Sequence, residues 1–300
     1  MKKAKKLILF IMIVVILIVI TISIVIVNNK YNMQHYFDDW ESEADVNILH
    51  TIGCGYVEGM DLGKYINGRI EEVYCIKNKR IYFCYSTAVP DSYPNREWHI
   101  ASVGITGEDF TEHYGGNLFS GSNPAGYSYE YLCLSYQSSP NIGQYGGFYA
   151  DHKIYLHGDR TTVVYDTQNG ILSETDRYPV SPYAWSINEH KNVVIENREQ
   201  NITRNLTLES MAEQNLYAKE LLNLSTKKTW DGTSLTEDIF SKLKIVDDRI
   251  YIVCEVLNWN GESFAVVFLY DFASENVLYV SSQKVGDRVD SNYSFSEYVD

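Results

Sequence analysis

Residues 150–170 read ADHKIYLHGDRTTVVYDTQNG. Two histidines and three aspartates crowd into this run, which invites a metal site or a catalytic cluster. Strand geometry argues otherwise, because successive side chains point to opposite faces. Ile154 and Leu156 point one way, Tyr155 and His157 the other. His152 falls in the preceding turn with the parity of Ile154, so the two histidines diverge. Asp159 and Asp166 sit at strand ends, where aspartate bonds to turn amides. An EF-hand loop is excluded, because Tyr165 stands where its first carboxylate would be, counted back from Gly170. Read as strands, the run extends into four short segments: GFYA from Gly147, KIYLHG from Lys153, TTVVYD from Thr161 and ILSETDRY from Ile171. Short polar turns separate them. A four-stranded up-and-down sheet of this size is one blade of a β-propeller.

Two phrases recur along the chain. A turn followed by Ile-Tyr appears at Lys79–Tyr82, His152–Tyr155 and Asp248–Tyr251, with a weaker version at His190–Val194. An apolar-Tyr-Asp turn appears in VVYDTQNGIL (Val163–Leu172) and FLYDFASENVL (Phe268–Leu278), with LLNLSTKKTW (Leu221–Trp230) as a relative. Tyrosine, at 25 of 300 residues, favours strands along with valine and isoleucine.

These phrases resemble the quinoprotein- and kelch-like repeats of bacterial β-propellers, whose recurring phrase is dgkIYv…lyayDxxtGk. The match is best over Gly147–Pro179 and Leu243–Gln283. The repeats' terminal tryptophan is missing after Gly170, and their glycine is replaced near Glu275 and Lys227. No cofactor or metal is expected. The resemblance implies an all-β fold, a propeller of about six four-stranded blades. Its units would be Arg69–His113, a degenerate Gly115–Tyr145, Gly147–Pro179, Tyr183–Asp231 and Leu243–Gln283. Residues 47–66 and 284–300 would combine into a closing blade. Residues 208–222 suit helix and strand equally.

The chain opens with a basic tail, residues 1–6, and an apolar run over residues 7–27 without charge or proline. At about 1.5 Å per residue this run spans a hydrocarbon core of roughly 30 Å. It is longer than a signal-peptide core and lacks a small-residue cleavage pattern. A transmembrane signal anchor is therefore expected. Lysines 2, 3, 5 and 6 precede it and acidic residues follow, which puts the N-terminus in the cytoplasm. Residues 28–46 read as a stalk, and residues 47–300 as an extracellular propeller-like domain. Without the five lysines of residues 1–30, 20 basic residues face 39 acidic ones. That surface repels phosphate backbones, so no nucleic-acid partner is expected.

All five cysteines lie beyond the anchor, and no two have C-x-x-C spacing. Cys75 and Cys84 flank a predicted hairpin turn, where a disulfide and buried thiols are both admissible. Searches for H-E-x-x-H, G-x-S-x-G and a phosphate-binding loop find nothing. The expanded connections Ser86–Trp98, Arg198–Gln214 and Leu257–Ser263, with Arg177–Trp185, would emerge on one face of the disc. Tyr93, Trp98, Tyr183, Trp185 and Trp259 would share that face as binding residues, with the alternative that such rings cap the core. The expected function is a membrane-anchored binding or scaffold module for a protein or cell-envelope component such as a glycan. The alternative is an envelope hydrolase or lyase on the same scaffold.

Overall fold

A computed structural model describes residues 2–31, 37–52, 55–57, 60–88, 96–119, 147–150, 152–157, 162–175, 182–188, 192–226, 239–246, 249–257, 263–286 and 294–298. Strands are numbered in chain order. One sheet joins β1 (Ile48–Ile52), β2 (Tyr56–Val57) and β3 (Met60–Asp61) to the C-terminal β19 (Ser294–Glu297), in the order β19-β1-β2-β3. The next holds β4 (Arg69–Lys77), β5 (Arg80–Ala88), β6 (Arg96–Gly104) and β7 (Thr111–Phe119). A third holds β8 (Gly147–Ala150), β9 (Lys153–His157), β10 (Thr162–Asp166) and β11 (Leu172–Thr175). The fourth holds β12 (Tyr183–Ile187), β13 (Val193–Asn197) and β14 (Ile202–Leu206). The last holds β15 (Phe240–Val246), β16 (Arg249–Leu257), β17 (Ser263–Tyr270) and β18 (Val277–Gly286). The fold is a five-bladed β-propeller, its blades numbered 1 to 5 in the order of these sheets.

The blades hold together because their strands are apolar on both faces. In blade 5, Ile250, Ile252, Cys254 and Val256 pack toward blade 4, while Tyr251 and Val253 pack toward blade 1. In blade 2, Ile81, Phe83 and Tyr85 face blade 1, and Tyr82 and Cys84 face blade 3. Each fully buried side chain of this kind contributes about 1.5–3 kcal/mol. Two-sided burial explains why RIYIVCEVL and SFAVVFLY read as nearly continuous apolar runs rather than alternating ones.

The repeated phrases encode the turns. In blade 3, His152 adopts φ 58 in the β8–β9 turn. Its carbonyl accepts from the Thr167 amide at 2.9 Å and the Thr167 hydroxyl at 2.8 Å. Asp166 closes the β10–β11 turn: its carboxylate accepts from the Gln168 amide at 2.8 Å, and Gly170 takes φ 70. Blade 5 repeats the device, with Asp271 accepting from the Ser274 amide at 2.7 Å and Glu275 at φ 60 in the glycine's place. The structure thus supplies the turn role expected of Asp166. His157's side chain and Asp159 lie outside the described residues.

The ring closes by pairing its two chain ends. β1 runs antiparallel to β19, with Leu49 opposite Ser296 and His50 opposite Phe295. A parallel bridge links Ile76 of β4 to Tyr298, and the Ser296 hydroxyl donates to the Val73 carbonyl at 2.9 Å. The closing blade expected from residues 47–66 and 284–300 is present.

Several expectations need correction. The blade count is five rather than about six: Gly115–Phe119 belong to β7 of blade 2, so no separate unit begins at Gly115. The rest of that proposed unit lies outside the described residues. Residues 208–222 are helical, as α2 (Leu208–Ala212) and α3 (Leu216–Ser225). Thr207 and Ser210 form a capping box on α2, and Asn215 caps α3, which decides helix over strand. The expanded Arg198–Gln214 connection is in fact a tight turn, strand β14 and helix α2. Leu208, Met211, Ala218 and Leu221 of these helices bury in the core shared by blades 4 and 5, so among the described residues the fourth blade has three strands and a helical flank.

No disulfide joins Cys75 and Cys84; both are buried thiols. Two register shifts in the β4–β5 pair set Cys75 opposite Tyr82 and Cys84 opposite Glu72. The Cys84 sulfur instead accepts the Tyr74 hydroxyl at 3.0 Å.

The polar segment 28–46 is not a stalk throughout, because residues 37–46 pack on the propeller. Phe37 is buried against Phe264, with ring centroids 5.2 Å apart. Trp40 lies against Tyr217 at 4.7 Å and Tyr279 at 5.2 Å, and its indole N–H donates to Glu220 at 3.0 Å. The Glu43 carboxylate accepts from the Asn215 side-chain amide at 2.6 Å and from the Tyr279 backbone amide at 2.8 Å. Two aromatic residues and one carboxylate turn a polar stretch into a clamp.

Ahead of the clamp, α1 (Lys2–Tyr31) is a single helix. Its side chains are described over 10–24, and those large apolar groups are exposed. The membrane span expected over residues 7–27 is not shown: among the described residues, whose side chains in α1 are those of 10–24, no helix is long and apolar enough to cross a membrane.

Candidate functional site

The five aromatic residues expected on one loop face do not form one described surface. Trp98, on β6, is 3% exposed. It packs with Tyr74, Tyr82 and Ile100 between blades 2 and 3, so it is a core residue and not a surface contact. Tyr183 and Trp185 share a face of β12 and are half-buried against the core between blades 4 and 5, where Tyr183 lies 5.3 Å from Phe272. Tyr93 and Trp259 lie outside the described residues.

Chemistry-bearing groups converge elsewhere. On blade 2, the Thr87 hydroxyl lies 3.1 Å from His99 Nε2, and His99 Nδ1 lies 3.4 Å from a Glu112 carboxylate oxygen. These residues come from three adjacent strands. Tyr85 stacks on the imidazole at 4.5 Å and donates its hydroxyl to the same Glu112 oxygen. Burial and the neighbouring carboxylate push the Tyr85 phenol well above its usual range. Gly115 leaves room for the ring, since a Cβ there would stand 2.5 Å from His99 Nδ1. The order hydroxyl, imidazole, carboxylate is that of a nucleophile–base–orienter line. Here the carboxylate is already taken by Tyr85, and Nδ1 makes no hydrogen bond.

A second group lies where β15, β19 and β4 come together. Lys244 is 7% exposed, donates to the Phe295 carbonyl and sits 5.2 Å from the Phe295 ring centroid. Burial lowers its pKa, and the Glu72 carboxylate partly offsets this. Nearby, Arg249 pairs with the buried Glu297. These ions tie blade 5 to the closing strand. Among the described residues they offer no open carboxylate pair.

Between blades 2 and 3, His113 stacks on Tyr165 at 4.4 Å and on Tyr82 at 5.8 Å. Its Nε2 lies 2.7 Å from the Ser102 hydroxyl, to which Arg80 donates at 3.0 Å. Burial, aided by the Arg80 charge, lowers the His113 pKa to about 4. A histidine held neutral among rings is a packing element. No group of three or more potential metal ligands occurs among the described residues.

None of these clusters has a signature in linear spacing. Thr87 and His99 meet because Ser86 pairs with Trp98 and Tyr85 with His99 across β5 and β6. That register depends on where the connection between the strands ends, which composition alone does not fix.

No protein-family model matches the chain, and no curated protein matches it in sequence. Among solved structures it is similar to the RS223 β-xylosidase, at 10% identity over 72% of this chain and 79% of that one, with a TM-score of 0.26. This likeness carries no argument about activity.

Proposed function

We propose that the protein is a membrane-anchored β-propeller that binds or scaffolds a protein or cell-envelope component outside the cell. One observation carries this reading: a helix whose large apolar side chains are exposed is followed, after five intervening residues, by a clamp fastened to blade 5. A helix that is apolar all round needs a nonpolar surrounding, and the uncharged stretch of residues 7–27 fits a bilayer core. The lysines before it favour a cytoplasmic N-terminus. The acidic exterior disfavours nucleic acid. Quinoprotein- or kelch-like ancestry of the blades accords with the repeated turn phrases of blades 3 and 5. The test is expression of the full chain in a bacterium, followed by alkaline carbonate washing and protease treatment of intact cells. Retention in the membrane with digestion from outside supports the reading; release into the wash, or protection in intact cells, refutes it.

The hydrolase reading draws on the Thr87–His99–Glu112 line alone. A hydroxyl-directed fluorophosphonate probe tests it. Modification of Thr87 that is lost in His99→Ala would support a hydrolase, and an unmodified Thr87 removes that reading.

A further inference from the structure

The β4–β5 turn of blade 2 gathers positive charge in a chain that is acidic overall. It reads KNKR, Lys77 to Arg80, with Asn78 at φ 49 and Lys79 at φ 58. Lys77 stands directly opposite Arg80. Side chains in such a pair share one face of the sheet, with Cβ atoms about 5 Å apart. That face is turned to blade 3. Lys77 is 4% exposed, and its ammonium lies 3.4 Å from Nδ1 of His152 in the β8–β9 turn. Arg80 is half-buried, and its Nε donates to the Ser102 hydroxyl at 3.0 Å. Its Nη2 serves the Ser102 and Asp109 carbonyls and the Thr111 hydroxyl. The Ser102 hydroxyl also meets His113, which stacks on Tyr165 of blade 3.

Two costs are left standing here. Like charges directly opposite each other destabilise an antiparallel pair, and a buried ammonium calls for a counter-charge. Among the described residues, neither Lys77 nor Arg80 forms an ion pair with a carboxylate. The rest of the Lys77 ammonium and all of Arg80 Nη1 have no acceptor among the described residues. Burial and then the Arg80 charge oppose a proton on His113, so the place suits an anion and not a cation. A guanidinium offers a planar fork to the oxygens of a phosphate or carboxylate, and an ammonium beside it adds a point charge.

We propose that Lys77 and Arg80, at the β4–β5 turn end of the boundary between blades 2 and 3, bind the phosphate or carboxylate group of a small ligand. With 39 acidic residues against 25 basic ones, the rest of the surface repels a polyanion. The ligand is therefore a small molecule with an isolated charged group. This site does not depend on the membrane anchor.

The test uses the detergent-solubilised full chain, with inorganic phosphate and acetate as probes and chloride at equal ionic strength as the reference. Arginines are labelled with phenylglyoxal, and the rates are read by peptide mass spectrometry. Arg69, exposed and paired with Glu71, is the control. A site about four-fifths filled slows Arg80 labelling about five-fold and leaves Arg69 unchanged. Protection by phosphate alone assigns a phosphate ligand, and protection by acetate alone a carboxylate; protection by both assigns the oxyanion chemistry they share. Lys77→Gln should remove the protection and Lys79→Gln should keep it. If Lys77→Gln fails to fold, the ratio of Arg80 to Arg69 labelling in the parent decides alone. Equal Arg80 labelling in phosphate, acetate and chloride overturns the proposal, as does protection that persists in folded Lys77→Gln.

Discussion

Removing the phenyl ring of Phe295 tests how the propeller closes. Phe295 is fully buried on the C-terminal strand, pairs with His50, and meets Tyr251 of blade 5 edge-on at 5.1 Å. It also lies under the ammonium of Lys244. Phe295→Ala deletes contacts to two blades at once and leaves a cavity between them. Buried Phe→Ala substitutions cost about 3–5 kcal/mol. At about 2–4 °C per kcal/mol for a domain of this size, the melting temperature should fall by about 6–20 °C. The assay is thermal unfolding of the detergent-solubilised full chain, followed by near-ultraviolet circular dichroism. Leu172→Ala, on the exposed outer strand of blade 3, is the control and should shift stability by no more than about 0.5 kcal/mol. Equal, small shifts for both variants would refute the claim that the C-terminal strand completes the core.

Two further predictions concern titration and the clamp. Burial lowers the His50 pKa to about 4 from an ordinary 6.5, and the His50 ring lies 3.1 Å from the Ser281 hydroxyl across the blade 1–blade 5 boundary. The unfolded chain then binds a proton that the folded chain refuses, so stability is intact above about pH 6.5 and is lost as pH falls toward 4. The loss is about 3 kcal/mol from His50. Denaturant midpoints at pH 7 and pH 4.5 should converge in His50→Gln relative to the parent; an unchanged gap would contradict this. His113 contributes in the same window and sense. Glu43→Ala removes the acceptor for Asn215 and Tyr279, at a cost of about 1 kcal/mol for this exposed group. Limited proteolysis should then cut within residues 37–47 faster than in the parent, with the blades still resistant; an unchanged cleavage rate would remove the clamp's role.

The propeller was legible in the sequence because its turns repeat. The Asp-led turns at Asp166 and Asp271 and the left-handed positions at His152 and Gly170 each leave a residue preference in the chain. Closure was legible as well, since two leftover ends of strand length had no other partner. The count was less so, because β7 carries two glycines and no apolar alternation, which made its end look like the start of a new unit. The clamp was hidden for a different reason. Its sequence is acidic, and only the placement of Phe37 against β17 and of Trp40 and Glu43 against α3 and β18 makes it adhere. Of the two readings open for Trp98 the structure shows the core one, and sequence could not choose, because an aromatic residue beside a long connection looks the same whether it faces solvent or the next blade. The Thr87–His99–Glu112 line depends on registers between three strands, which no local pattern specifies.

The central claim is that one chain forms a closed ring by pairing its first and last strands. Leu49 and Ser296 stand opposite each other across that seam, and directly paired strand residues lie close enough for a disulfide. Leu49→Cys/Ser296→Cys, oxidised in the folded state and mapped by peptide mass spectrometry, measures the seam itself. The account predicts an intrachain cross-link between those two positions at protein concentrations where neither single variant cross-links. Two uncrosslinked thiols, or a cross-link only between chains, would contradict it.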